Sequence, residues 1–181
     1  WLVYQTICSR LIAKTGFYQT SGGYGFRDQL QDAIGMKYIS TEILKNQIIL
    51  HARHQFSEGD VEHWWHEDSN IGIRKRYSDD LLWLPYATIE YIKYTGDYSI
   101  LKEQIEYLED DELNKNQIDR VSIYEPKKHS GRLEKYSLLD HCIRAIERSL
   151  KFGKNGLPLI NGGDWNDGMN CIGKYGKGES V

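Results

Sequence analysis

Apolar residues recur at intervals of three and four positions through most of this 181-residue sequence. The clearest example is the set Leu138, Cys142, Ile146 and Leu150, each four positions after the last. Residues at this spacing share one face of an α-helix, whereas the side chains of a strand alternate between two faces. Because alternation with a period of two is nearly absent, the sequence predicts an all-α fold.

Six helices follow from the apolar pattern and from residues that favour helix ends. The predicted ranges are about 1–15, 28–38, from Thr41 through Ile48, 78–96, from Asp97 through Leu108, and 134–152. Thr41, Ser78 and Asp97 are the expected N-caps, and Gly96 is expected to end the fourth helix. The sequence also predicts a long polar loop at 58–77 and a charged excursion without a core face at 109–133.

The predicted loops alternate in length along the chain. Long loops join helices one and two, three and four, and five and six, while the joints between these pairs are very short. Antiparallel helical hairpins with this alternation place the long loops at one end, as in a toroid of paired helices. A plain helical bundle is the alternative.

The net charge and the cysteines indicate which kinds of partner and which cellular compartment to expect. The formal net charge of −3 argues against a nucleic-acid partner, because nucleic-acid binding requires a basic face. Cys8, Cys142 and Cys171 are too widely separated for a metal-binding pair and odd in number for a disulfide framework. We therefore expect a cytoplasmic location.

Both ends of the sequence have the composition of a chain interior. The first residues, from Trp1 to Tyr4, already follow a helical apolar pattern, and the last residues before Val181 do not resemble a tail. We therefore expect a segment cut from a longer protein at both ends.

Residues 162–170, with the sequence GGDWNDGMN, carry the most distinctive chemistry. Asp164 and Asp167 flank Trp165, whose indole offers a flat apolar face for a sugar ring. A carboxylic acid beside such a face has a raised pKa and can protonate a glycosidic oxygen. A turn built from Gly, Asn and Asp around a buried tryptophan is the alternative interpretation.

A second candidate segment is GGYGFRDQLQD at residues 22–32. Asp28 and Asp32 are four positions apart, so they project from one face of a helix. Arg27 could neutralise one of them, or the pair could accept hydrogen bonds from sugar hydroxyls. Ordinary capping of the helix start would explain Asp28 equally well.

The third candidate segment contains HWWH at residues 63–66. We interpret it as a substrate loop in which Trp64 and Trp65 stack on sugar rings and His63 binds hydroxyls. No further ligand is placed beside the histidines, so no metal site is predicted. Asp80, in the following SDD segment, is a substrate-binding candidate or simply a charge favoured in a helix's first turn.

Taken in order, the motifs resemble those of glycoside hydrolase family 94. They are FYQ at 17–19 with GFRDQLQD at 25–32, GD at 59–60 with HWWH at 63–66, SDDLLWLP at 78–85, and GDWNDGMN at 163–170. The forms HWWH and SDDLLWLP resemble the branch of cyclic β-1,2-glucan synthases and 1,2-β-oligoglucan phosphorylases. The resemblance covers essentially the whole chain.

The resemblance implies an (α/α)6-barrel catalytic domain, of which residues 1–181 would form the first half. It also implies inverting phosphorolysis of a β-glucan, with inorganic phosphate as co-substrate and no other cofactor. Asp167 would protonate the leaving oxygen, and Arg27, Asp28, Asp32 and Trp165 would hold the glucosyl ring. Much of the phosphate-binding apparatus, its His and Gly/Thr residues, would lie beyond Val181, in a parent that can be attached to a membrane-bound glucan synthase.

Two other functions remain open from the residues. An inverting hydrolase would need a second carboxylate ~6.5–9.5 Å from Asp167, for which Asp28, Asp32, Asp79 and Asp80 are candidates. The other alternative is a carbohydrate-binding segment without catalytic activity.

Overall fold

The computed structural model of the protein describes residues 1–13, 22–114, 117–165, 170–173 and 176–179. The helices are α1 (Leu2–Gln5), α2 (Phe26–Met36), α3 (Thr41–Ala52), α4 (Trp83–Thr95), α5 (Leu138–Ser149) and α6 (Asn170–Gly173). A π-helical segment, Thr6–Leu11, continues α1, and 3-10 helices cover Asp80–Leu82 and Tyr98–Lys102. The strands are β1 (Gly23–Gly25), β2 (Glu62–His66), β3 (Ile71–Lys75), β4 (Gln104–Glu106), β5 (Asp119–Ile123), β6 (Lys128–His129), β7 (Arg132–Leu133) and β8 (Lys135–Ser137).

The predicted all-α fold, the first half of a purely helical (α/α)6 barrel, is wrong. Strands β1, β2, β3 and β5 form a four-stranded antiparallel sheet in the order β1-β2-β3-β5. The alternation was hidden because the inward residues of β3 are Gly72 and Arg74 rather than apolar ones. A register shift between Glu62 and Trp64 also interrupts the alternation in β2.

Three local predictions are wrong because the segments concerned contain β-strands. Residues 58–77 contain the hairpin of β2 and β3 instead of a polar loop, and 109–133 contain three strands instead of an excursion. The predicted fifth helix is only a 3-10 helix followed by β4, which pairs with β8. Ile105 and Leu108 are therefore buried without belonging to a helix, so their spacing was misleading.

Four predicted helices are confirmed as α2, α3, α4 and α5, with shifts of a few residues at their ends. Gly96 ends α4 with φ of 70°, a left-handed conformation that glycine adopts without strain. Asp97 caps the short 3-10 helix by accepting a hydrogen bond from the Ser99 amide. The N-cap of α3 is Ser40 rather than Thr41, and Ser78 lies before the 3-10 turn that leads into α4.

The core lies where α2, α3, α4 and α5 meet. Its fully buried side chains include Phe26, Leu30, Leu44, Ile48, Leu84 and Leu138. The predicted face of α5 is half correct, because Leu138 and Cys142 are buried but Ile146 and Leu150 are exposed. No helix among the described residues is both long enough and apolar enough to cross a membrane.

The sheet brings two of the predicted motifs side by side. Strand β1 runs directly into α2, so Arg27 lies in the first turn of that helix. Gly25 of β1 pairs with Trp64 of β2. A Cβ atom at Gly72 of β3 would overlap the carboxylate of Glu62, so a larger residue there would displace that buried side chain. This pairing fixes the HWWH segment beside the start of α2.

Candidate functional site

The guanidinium of Arg27 is the point at which three distant motifs meet. Its Nη1 atom lies 3.2 Å from Oδ2 of Asp79 and 3.9 Å from Oδ1 of Asp80. The same nitrogen donates a hydrogen bond of 3.1 Å to the main-chain carbonyl of Asp164. Arg27 is only 6% exposed, so these contacts form with little competition from water.

Asp80 also orients an imidazole. Nδ1 of His63 lies 2.7 Å from Oδ2 of Asp80, and the His63 ring packs edge-on against Tyr77 at 4.4 Å. A carboxylate bound to one ring nitrogen fixes the plane of the ring and leaves the other nitrogen for a ligand. Oδ1 of Asp80 is buried and has no hydrogen-bond partner among the described residues.

The pKa of the Asp79 carboxyl differs from that of an exposed aspartate. Burial raises the pKa of its carboxyl above the usual range, the neighbouring Asp80 carboxylate raises it further, and Arg27 opposes both. Asp79 therefore takes up a proton more readily than an aspartate in water does.

Asp28 and Asp32 share one helix face, and both lie near Arg10. Nε of Arg10 donates to Oδ2 of Asp32 at 2.6 Å, and its Nη1 lies 3.9 Å from Asp28. Nε of Arg27 lies 3.7 Å from the other oxygen of Asp28. Sequence reasoning missed Arg10, because it lies in the first helical segment and only the tertiary fold brings it to α2.

Trp165 presents an open aromatic surface beside Arg27. Its side chain is 59% exposed, and the Arg27 guanidinium lies 5.1 Å from the ring centroid. Trp83 approaches the same ring at 6.3 Å with an interplanar angle of 37°. A cavity of about 380 Å³ is lined by Trp165, Trp83, Tyr86, Gln31 and Ile34. Such a hollow suits the apolar face of a sugar ring.

The loop that carries Asp164 and Trp165 is anchored by the SDD segment. The Ser78 amide donates a hydrogen bond of 2.9 Å to the Gly163 carbonyl. A Cβ atom at Gly163 would lie 2.7 Å from the ring of Tyr77, so only glycine allows this approach. The motifs are therefore docked on one another through their backbones as well as through Arg27.

Trp64 and Trp65 do not form a common surface on which a sugar ring could stack. Trp65 is 2% exposed, and the rings of His54 at 3.9 Å and Tyr24 at 5.7 Å stack on it. Its ring is therefore buried inside the protein and is not open to a sugar. Trp64 is half-buried on the other side of β2 and packs edge-on against His66 at 5.2 Å.

Most of the candidate residues gather in one region. The structure brings together Arg27, Asp28, Asp80, His63, Asp164 and Trp165, with Asp32 beside them on α2. Asp167 lies outside the described residues. Sequence reasoning missed Trp83 and Tyr86, although Trp83 belongs to the SDDLLWLP motif. Within the described ranges, no group of three or more His, Cys, Asp or Glu side chains is placed to hold a metal ion.

Comparison with known proteins identifies the relatives of this chain. The family model for the glycosyl hydrolase 94 superfamily, catalytic domain, matches residues 1–181. The chain is 43% identical over its whole length to cyclic beta-(1,2)-glucan synthase NdvB of Rhizobium meliloti, of which the match covers 6%. It is 34% identical over 88% of its length to solabiose phosphorylase of Paenibacillus borealis, and the match covers 17% of that protein. Cellobionic acid phosphorylase of Neurospora crassa is 29% identical over 85% of the chain, with 17% of its own length matched.

Proposed function

The chain belongs to the glycosyl hydrolase 94 superfamily, and on that premise we propose that the protein carrying it is an inverting glycoside phosphorylase. The family match over residues 1–181 is the observation that carries the proposal. Two of the relatives described above are named phosphorylases. The gathering of the FRD, SDD and GDW segments around Arg27 supports a shared site, since each segment is remote from the others in sequence.

In the proposed reaction, an oxygen of inorganic phosphate attacks the anomeric carbon of the terminal sugar. The bond from that carbon to the glycosidic oxygen breaks, and Asp167 gives its proton to the departing oxygen. The products are a sugar 1-phosphate of inverted configuration and a saccharide shorter by one unit. Phosphate takes the place of an activated water, so no second catalytic carboxylate is required.

The described residues would bind and orient the sugar. Trp165 offers an exposed ring for stacking, and the carboxylates of Asp28 and Asp32 offer acceptors for hydroxyl groups. Arg27 holds Asp79, Asp80 and the Asp164 carbonyl in one arrangement, so that the sugar meets a preformed surface. His63 is held by Asp80 and adds a ring nitrogen for a further hydroxyl.

We infer that the substrate is a β-1,2-glucan. The support is the 43% identity to a relative named as a cyclic beta-(1,2)-glucan synthase. We further infer that the parent protein is a large glucan synthase, with its phosphorylase part on the cytoplasmic side of a membrane. Phosphate and the glucan are then its two small-molecule partners.

The experiment is a phosphorolysis assay on the full-length protein with a linear β-1,2-glucan. We expect release of glucose 1-phosphate that requires phosphate, and a loss of ~10²–10⁴-fold in turnover for Asp167→Asn. An aryl β-glucoside with an acidic phenol provides the control, because its leaving group needs no proton. The Asn variant should therefore lose much less activity on the aryl glucoside than on the glucan.

Two outcomes would contradict the proposal. Equal losses on both substrates would remove Asp167 from the role of proton donor. Release of free glucose at a rate independent of phosphate would identify a hydrolase instead.

A further inference from the structure

A small cavity of about 120 Å³ lies where the end of β3, the end of α5 and residues 159–162 meet. Main-chain hydrogen bonds hold these three segments together. The Gly162 amide donates to the Arg76 carbonyl at 2.6 Å, and the Leu159 amide donates to the Lys151 carbonyl at 2.9 Å. The walls of the cavity are therefore fixed by the fold and not by flexible side chains alone.

Cationic side chains outnumber carboxylates in the lining of this cavity. Four cations line it, Lys75, Arg76, Arg148 and Lys151, together with two carboxylates, Asp60 and Glu112. Both carboxylates are already engaged. Arg74 donates to the two oxygens of Asp60 at 2.7 and 2.6 Å, and Arg148 pairs with Glu112.

Three of the cations remain without a neutralising partner. Within the described ranges, no carboxylate lies at salt-bridge distance from Lys75, Arg76 or Lys151. The ammonium of Lys75 lies 5.3 Å from the Tyr77 ring. Among the residues that the structure describes, Arg76 donates side-chain hydrogen bonds only to main-chain carbonyls, those of Leu113 and of Asn114, the latter at 2.8 Å. Burial lowers the pKa of Lys151, and the nearby charges of Arg148 and Arg76 lower it further, while Glu112 and Asp60 oppose the shift without reversing it. Positive charge is therefore concentrated at this cavity.

The chemistry and the size of the cavity restrict its ligand. Uncompensated ammonium and guanidinium groups favour an anion with several acceptor oxygens, since charge-assisted hydrogen bonds are the strong ones. The cavity is larger than the ~30 Å³ that one water occupies, yet much smaller than a pocket for an oligosaccharide. We propose that this cavity binds a phosphoryl group, supplied as free phosphate or as a sugar phosphate.

This site is separate from the sugar-binding surface of the proposed function and does not rest on it. Its lining shares no residue with the cavity beside Trp165. The two sites adjoin through the backbone, because Ser78 lines the phosphoryl site and also binds the Gly163 carbonyl. Occupancy of one site can thus be measured while the other is empty.

The test is a calorimetric titration of inorganic phosphate into the full-length protein without glucan. We expect Lys151→Gln to weaken one phosphate-binding event at least tenfold, as the loss of a charge-assisted hydrogen bond implies. Lys154→Gln is the matched control, because Lys154 carries the same charge three positions away and lies outside the cavity. That control should bind phosphate like the unaltered protein. Lys75→Gln gives a second, independent variant with the same expected loss.

The outcomes separate the possible sources and the possible failures. If glucose 1-phosphate binds more tightly than phosphate in the same Lys151-dependent manner, a sugar phosphate is the ligand; otherwise free phosphate is. Equal weakening by Lys151→Gln and Lys154→Gln, or no measurable phosphate binding, overturns the site. Lys151-dependent binding in a protein without phosphorolysis would keep this site and reject the proposed function.

Discussion

Oδ2 of Asp80 binds Nδ1 of His63 at 2.7 Å, while Oδ1 of the same carboxylate lies 3.9 Å from the guanidinium of Arg27. Asp80 is 2% exposed, so water screens its interactions with these two groups only weakly. One carboxylate therefore couples the orientation of the HWWH segment to the start of α2. The residues come from β2, the 3-10 turn before α4, and α2.

Asp80→Asn tests this coupling. The amide keeps the size of the side chain but removes its charge and presents a donor toward Arg27 or His63. On the proposed function, we expect kcat for phosphorolysis by the full-length protein to fall about 10–100-fold, because a small misplacement of the sugar loses attack geometry. Asp119→Asn, at an exposed position in β5, should leave the kinetic constants unchanged. Identical kinetics for the two variants would show that Asp80 has no positioning role.

Arg27→Lys separates charge from geometry. Lysine keeps the positive charge beside Asp79 but cannot also reach the Asp164 carbonyl and lie against Trp165. On the proposed substrate, a β-1,2-glucan, we expect kcat/KM of the full-length protein to fall at least tenfold, with KM and kcat both affected. Arg132→Lys in the exposed strand β7 is the control. Full activity of the Arg27 variant would mean that charge alone suffices at this position.

The helical part of the fold was predictable because its core positions are apolar and regularly spaced. In α5, Leu138 and Cys142 recur at the helical interval and are buried as expected. The sheet was not predictable, since its inward positions include Arg74, Glu62 and Gly72. A fully buried Arg74 is stable there because Asp60 and Glu58 pair with it, and no local pattern indicates those partners.

The site was predictable as a set of motifs but not as a geometry. Sequence patterns selected Arg27, Asp80 and Trp165, which the fold brings into one region. The same patterns grouped Trp64 with Trp65, although neighbours on a strand point to opposite faces. The sequence did not predict Arg10 as a site residue, because its contact with Asp32 spans 22 positions and joins two different helices.

His51 gives the protein a predictable sensitivity to acid. The ring is fully buried, its Nδ1 lies 2.7 Å from the Gln47 carbonyl, and burial lowers its pKa to about 3. The unfolded chain, with a histidine pKa of ~6.5, takes up a proton in this range that the native state refuses. The free energy of unfolding therefore falls as pH drops from about 6.5 toward 3, by up to ~1.4 kcal/mol per pH unit.

The measurement is urea denaturation at pH 7 and pH 4.5 for the protein and for His51→Leu. We expect the difference in unfolding free energy between the two pH values to be smaller in the variant, by up to roughly 2–3 kcal/mol. His129→Leu, at an exposed histidine in β6, should keep the larger difference. Equal pH dependence in all three proteins would mean that His51 does not remain neutral in the native state.

Helix α5 carries an exposed apolar stripe that predicts self-association of residues 1–181 prepared on their own. Leu139, Ile143, Ile146 and Leu150 recur along one face and are 42–58% exposed. Covering a Leu or Ile side chain completely is worth ~1.5–3 kcal/mol, so pairing two such stripes releases several kcal/mol. We expect concentration-dependent association in sedimentation velocity, and a shift toward monomer for Ile143→Glu. Gln5→Glu adds the same charge at an exposed helical position and should not change the association. A monomer at every concentration would show that this stripe does not drive contacts between copies.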